Sequence, residues 1–233
     1  MENELCHLQT RRGFVGAHLG RIAGAFSTAA AVNFMSPGPI ACQTELSPEA
    51  AWQKLMAGNK RFRGRRMKSC EDDASILRQN TSEKQEPFAA ILACADSRVP
   101  VEFIFDQSIG QVFVTRVAGN VATPEIIASL EYGAAVLGTK VILVLGHGNC
   151  GAVKAAIQGK EVPGQISALF AYIRPAVDEA GSNLNAAVNA NAKYQSGLLS
   201  KSSPVISSLI KQNKLKVVAG CYDIVGGGVT LLT

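Results

Sequence analysis

Four short runs of apolar residues mark the most regular part of the chain. Each is continuous rather than alternating, which is typical of strands buried on both faces of a parallel sheet. The runs cover residues 88–93, 112–114, 141–145 and 217–219. We therefore predict four strands of a buried, mostly parallel sheet.

Helical patterns lie between these runs and before the first of them. Ser47 followed by Pro48 predicts a helix start, with Ser47 as N-cap and Pro48 at the first helical position. Thr123 to Leu137 shows the clearest helical spacing of apolar residues. Further helices are predicted near residues 151–158, 163–180, 184–199 and 203–212, and residues 69–86 are predicted to be irregular. This alternation predicts an α/β, three-layer fold with a central mostly parallel β-sheet flanked by helices.

Composition narrows the function classes. The formal net charge is +5, and a basic cluster lies between Arg61 and Lys68. We interpret the cluster as a solvated surface, and no nucleic-acid contact is predicted because no aromatic platform or helix-turn-helix pattern accompanies it. Six cysteines are too sparse for a disulfide scaffold.

Residues 1–42 are predicted to be a twin-arginine signal peptide or a retained N-terminal extension, followed by one domain over residues 43–233. Arg11 and Arg12 precede Phe14 and an apolar, Ala/Gly-rich stretch, as in twin-arginine export signals. The protein is then expected in the periplasm, with a cytoplasmic location as the alternative if the extension is retained. Loose membrane association through the leader, or through lipidation of Cys42, stays open.

Residues that bind metals follow two of the predicted strands. Cys94 follows the first apolar run directly, and His147 and Cys150 follow the third. The carboxyl ends of parallel strands meet at one edge of a sheet, so these side chains are expected to converge. A lone cysteine is commonly an inert core residue, but two thiolates and one imidazole form the ligand set of a catalytic zinc site with one open position. His7 and His18 lie in the predicted leader, so a three-histidine site within the mature chain is excluded.

Asp96 and Arg98 lie beside the first of these cysteines. They admit two interpretations, a structural ion pair or a catalytic pair. In the second, Asp96 accepts a hydrogen bond from zinc-bound water, and Arg98 holds the carboxylate away from the metal. Without Arg98, Asp96 could become a fourth ligand and close the site.

The combination of Cys94, Asp96 and Arg98 with His147 and Cys150 resembles the β-class carbonic anhydrases. The similarity extends over roughly residues 47–233, through the segments 114–120, 129–133 and 216–223. It implies one Zn²⁺ per subunit held by the two cysteines and the histidine, and reversible hydration of carbon dioxide to bicarbonate and a proton by zinc-bound hydroxide. It also implies a homodimer or a dimer of dimers. Gln85 matches a family glutamine that hydrogen-bonds substrate from the neighbouring subunit.

Two other functions are compatible with the same residues. Carbonyl sulfide and carbon disulfide hydrolases share the fold and the ligands of this family, and the sequence does not separate their substrates from carbon dioxide. A non-catalytic, zinc-stabilised module is the more remote alternative, because it leaves the presence of Gln85, Asp96 and Arg98 unexplained.

Overall fold

The computed structural model describes residues 44–69 and 85–233. The predicted twin-arginine signal, Cys42 and most of the segment predicted to be irregular lie outside the described residues. Within this part of the chain, no helix has both the length and the apolar character needed to cross a membrane.

A mixed sheet forms the centre of the described structure. Its strands lie in the order β2-β1-β3-β4-β5, and their bounds are β1 Ala89–Ala93, β2 Val112–Arg116, β3 Val141–His147, β4 Lys216–Tyr222 and β5 Val229–Leu232. The first four strands run parallel, and β5 pairs antiparallel with β4. The predicted mostly parallel sheet is therefore confirmed, and β5 is an addition to it.

Helices precede and connect the strands. Their bounds are α1 Pro48–Arg63, α2 Val101–Ile104, α3 Pro124–Glu131, α4 Gly151–Gln158, α5 Phe170–Ala180, α6 Leu184–Ser202 and α7 Pro204–Lys211. Three of these helices have N-cap residues whose side chains accept hydrogen bonds from backbone amides in the first turn. These residues are Ser47, Asn183 and Ser203. The helix predicted from residue 163 begins later, at Phe170, after a 3₁₀ turn over Ile166–Leu169.

The two faces of the sheet are buried by different helices. In β1, Ala89, Ile91 and Ala93 belong to a core cluster that includes α1 and α2, whereas Ala90 and Leu92 belong to one that includes α3, α6 and α7. Alternate side chains of a strand point to opposite faces, so both faces of β1 are apolar. This explains the continuous apolar run and gives the predicted three layers.

The site is positioned by the pairing of β1 with β3. Ala93 pairs with Leu145, so both strands end at the same edge of the sheet. Cys94 is the first residue after β1, and His147 is the last residue of β3. Two separate sequence motifs thus meet at one carboxyl edge.

Candidate metal centre

Cys94, His147 and Cys150 converge at the carboxyl edge of the sheet. One ligand atom from each lies within 4.8 Å of the others. All three side chains are buried, and Cys150 is also the N-cap residue of α4. The structure therefore brings together the three residues that the sequence predicts as ligands.

The imidazole of His147 is oriented for ligation. Its Nδ1 lies 3.0 Å from the carbonyl oxygen of Gly148. A carbonyl oxygen only accepts, so Nδ1 is the donor in this contact and Nε2 is the nitrogen left for a metal ion. Nε2 is buried and has no hydrogen-bond partner among the described residues. A metal ion on Nε2 would satisfy this atom, and backbone contacts of this kind commonly orient histidine ligands.

The two cysteine side chains interact directly, and each shifts the pKa of the other. A hydrogen bond from Cys150 is the main cause that lowers the pKa of Cys94 to about 4, although burial opposes it. The hydrogen bond to Cys94, together with burial, raises the pKa of Cys150. Because metals bind cysteine as the thiolate, a cation held by both sulfurs would displace a proton from the pair. Two sulfurs and one imidazole nitrogen fit zinc and do not fit magnesium or calcium.

Asp96 and Arg98 form a two-pronged ion pair beside the ligands. Arg98 donates from Nε to Oδ1 at 2.9 Å and from Nη2 to Oδ2 at 2.7 Å, and its backbone amide also donates to Oδ1 at 2.9 Å. These contacts, led by the guanidinium, hold the pKa of Asp96 far below its usual range. Oδ2 lies 3.9 Å from Nε2 of His147, so one edge of the carboxylate lies next to the ligand atoms.

Arg116 supports the same loop, in a role that the sequence did not predict. Its guanidinium donates to the carbonyl oxygens of Cys94 at 2.9 Å and of Asp96 at 2.5 Å. Arg116 is the last residue of β2, next to β1 in the sheet. It thus fixes the backbone on either side of Ala95. An arginine at the carboxyl end of a strand, facing the loop of the neighbouring strand, is the signal that could have identified it.

Gln85 lies before β1 and is not one of the residues that follow the strands at the metal centre. It is exposed and precedes β1, whereas the ligands follow the carboxyl ends of the strands. The role predicted for Gln85 is at the site of a neighbouring subunit, and it stays a prediction.

A family model described as carbonic anhydrase matches residues 89–229, which include the three ligands and the Asp96–Arg98 pair. The chain belongs to the β-carbonic anhydrase family. Among solved structures, the β-carbonic anhydrase CcaA is similar with a TM-score of 0.63 and 25% identity, over 77% of this chain and 86% of that one.

Curated relatives agree with this family. Carbonic anhydrase 2 of Mycobacterium tuberculosis is 44% identical over 111 residues, which are 48% of this chain and 53% of that protein. The carbonic anhydrase of Pseudomonas aeruginosa is 31% identical over 175 residues, which are 68% of this chain and 79% of that protein. The chain spans about half the length of the mycobacterial relatives that it matches.

Proposed function

We propose that this chain is a zinc-dependent carbonic anhydrase that reversibly hydrates carbon dioxide to bicarbonate and a proton. One observation carries the proposal. Three buried donors gather at the sheet edge, and the Asp96 carboxylate is held by Arg98 with Oδ2 only 3.9 Å from the free nitrogen of His147. A purely structural zinc site needs four protein ligands and no such carboxylate.

Cys94, His147 and Cys150 would hold the zinc ion. When bound, zinc supplies Lewis acidity, which lowers the pKa of water enough to make a nucleophile near neutral pH. The three protein donors leave one position for that water.

The carboxylate of Asp96 would accept a hydrogen bond from the attacking water and orient it towards carbon dioxide. Its low pKa keeps it ionised as an acceptor throughout the neutral range. Arg98 holds both carboxylate oxygens and so keeps Asp96 beside the ligand position instead of in it. If this pair opened, Asp96 would become a fourth ligand and would exclude substrate.

The quaternary structure and the cellular location extend the proposal. A homodimer or dimer of dimers would place Gln85 of one subunit at the site of the next, where its amide would hydrogen-bond substrate. Export through the leader over residues 1–42 would place the enzyme in the periplasm. A fusion of these residues to a reporter should be exported only when Arg11 and Arg12 are both present, and a reporter that stays in the cytoplasm would contradict this part.

Stopped-flow hydration assays test the activity. The full chain with measured zinc content should hydrate carbon dioxide, lose activity after a chelator removes the metal, and recover it with added zinc. Carbonyl sulfide and carbon disulfide are assayed beside carbon dioxide. A fully zinc-loaded chain that hydrolyses either of these and leaves carbon dioxide unreacted would refute the proposed substrate. A zinc-loaded chain with no activity on any of the three would refute the catalytic role.

A further inference from the structure

The Cys94 sulfur has a backbone partner in the turn that follows β2. The amide of Gly119 donates to Sγ of Cys94 at 3.3 Å. The turn needs a glycine, because φ of Gly119 is +79° and a Cβ there would lie 2.8 Å from Cδ1 of Ile173. The position of this amide therefore depends on what holds the turn in place.

The sheet itself holds only the start of the turn. Val117 exchanges backbone hydrogen bonds with Ala93 and Ala95, on either side of Cys94. Beyond this point, the turn has one backbone hydrogen bond of its own, from the amide of Asn120 to the carbonyl oxygen of Val117 at 2.9 Å, and two side chains of α6 bond its backbone. Nδ2 of Asn191 donates to the carbonyl oxygen of Gly119 at 2.8 Å, and Oε1 of Gln195 accepts from the amide of Ala122 at 2.9 Å.

The two amide side chains also hold each other. Nε2 of Gln195 donates to Oδ1 of Asn191 at 3.1 Å and to the carbonyl oxygen of Tyr172 at 2.9 Å. Both side chains are fully buried. An amide buried without partners is costly, whereas a paired network in a water-free interior is rigid and fixes one geometry. The network therefore gives the turn one position relative to α6.

We propose that Asn191 and Gln195 are positioning residues for the metal site, which keep the Gly119 amide directed at the Cys94 sulfur. This inference rests on the proposed metal-binding function. A hydrogen bond to a thiolate draws electron density from the sulfur, so it changes how strongly the sulfur donates to a bound metal. Partners of metal ligands typically alter metal affinity by about 10–100-fold when they are removed.

A pair of matched variants tests the role of Asn191. Asn191→Leu keeps the shape of the side chain and removes its hydrogen bonds. Asn59→Leu is the control, because Asn59 is also buried and bonds the backbone of Ile104, Gly227 and Val229, away from the metal site. Both variants of the full chain should lose thermal stability. Only Asn191→Leu should also bind zinc about tenfold more weakly in competition with a chelator.

The absorption spectrum of the cobalt-substituted proteins reports on the sulfur ligands, and a general loss of stability does not change it. The sulfur-to-cobalt charge-transfer band should shift in Asn191→Leu and should match the wild type in Asn59→Leu. A folded Asn191→Leu protein with wild-type affinity and spectrum would overturn the proposal. If Asn191→Leu does not fold, Asn191→Ser is expected to show the same changes at smaller size, and an unchanged spectrum in that variant counts equally against it.

The hydrogen bond from Gly119 to Cys94 can be tested in the wild-type chain, without any variant. With NMR-active cadmium in the site, the Gly119 amide proton should show scalar coupling to the metal through the sulfur. A Gly119 amide without this coupling would contradict the inference, even in a cadmium-loaded protein. A wild-type chain that binds neither zinc nor cobalt would instead refute the metal site itself.

Discussion

Two aspartates of this chain are held by arginines, and their surroundings differ. Asp96 is bound by Arg98, two residues away in the same loop. Asp106 is bound by Arg61 of α1, 45 residues away in the sequence. Asp96 accepts from the side chain and the backbone amide of Arg98, within its own loop. Asp106 accepts, besides Arg61, the backbone amides of Lys68 and Ser69 at 2.9 and 3.0 Å, which belong to a distant segment.

The two carboxylates differ in their exposure to solvent and in the groups that they face. The side chain of Asp96 is 15% exposed and faces the ligand atoms, whereas that of Asp106 is fully buried. An ion pair can therefore orient a carboxylate towards a reaction centre or join distant segments of the fold. The groups that surround an ion pair determine whether it orients a carboxylate or joins segments of the fold.

Loss of the arginine should have the largest effect at Asp96. Arg98→Ala should lower the rate of carbon dioxide hydration per bound zinc by at least about 100-fold, because Asp96 becomes free to occupy the open ligand position. The cobalt spectrum of the variant should show the added ligand. Arg61→Ala is the matched control, and its rate per bound zinc should stay near that of the wild type. An active Arg98→Ala protein would remove the distinction between the two pairs.

Asp106→Asn should chiefly affect stability. The substitution leaves the Arg61 guanidinium without its carboxylate and weakens the contacts with Lys68 and Ser69. We expect the free energy of unfolding to fall by about 3 kcal/mol, which for a chain of this length is roughly 6–12 °C in Tm. Denaturant unfolding of the zinc-loaded protein measures the change. Zinc content per chain should be unaltered, and a variant as stable as the wild type would contradict a structural role for Asp106.

The smallest expected effect is on how the stability of the fold depends on pH at Asp106. Burial alone would raise the pKa of Asp106, but the amides of Ser69 and Lys68 and the Arg61 guanidinium hold the pKa below its ordinary value. A lowered pKa in the folded state contributes stability above the unfolded value of about 3.9, and this contribution is lost as the pH falls through the folded pKa. The stability difference between wild type and Asp106→Asn should therefore shrink below about pH 4. Unfolding of both metal-free proteins at several pH values measures it, and a difference that stays constant would refute this explanation.

Continuous apolar runs were sufficient to predict β1 to β4 and the edge at which the ligands meet. A strand buried on both faces has no polar position, so its pattern is distinctive. β5 was missed because Val229–Leu232 is short, half-exposed and preceded by three glycines. The four-residue helix α2 was missed because it is too short to show a helical period.

The main residues that could not be predicted from the sequence are buried polar side chains. Asn191 and Gln195 lie one turn apart on α6, in the buried stripe that includes Ala187, Val188 and Leu199. A polar pair that interrupts an apolar stripe is a visible signal, but only the structure names its partners. Asp106 gave no such signal, because its partners lie 37 to 45 residues away.

The most direct test compares Asp96→Asn with Asp106→Asn in one assay. Both substitutions remove one carboxylate charge from an arginine pair, and both proteins are assayed by stopped-flow hydration of carbon dioxide at measured zinc content. We expect Asp96→Asn to lose at least about 100-fold in rate per bound zinc, and folded Asp106→Asn to stay within a few-fold of the wild type. Equal losses in the two variants, or full activity in Asp96→Asn, would contradict the role proposed for Asp96.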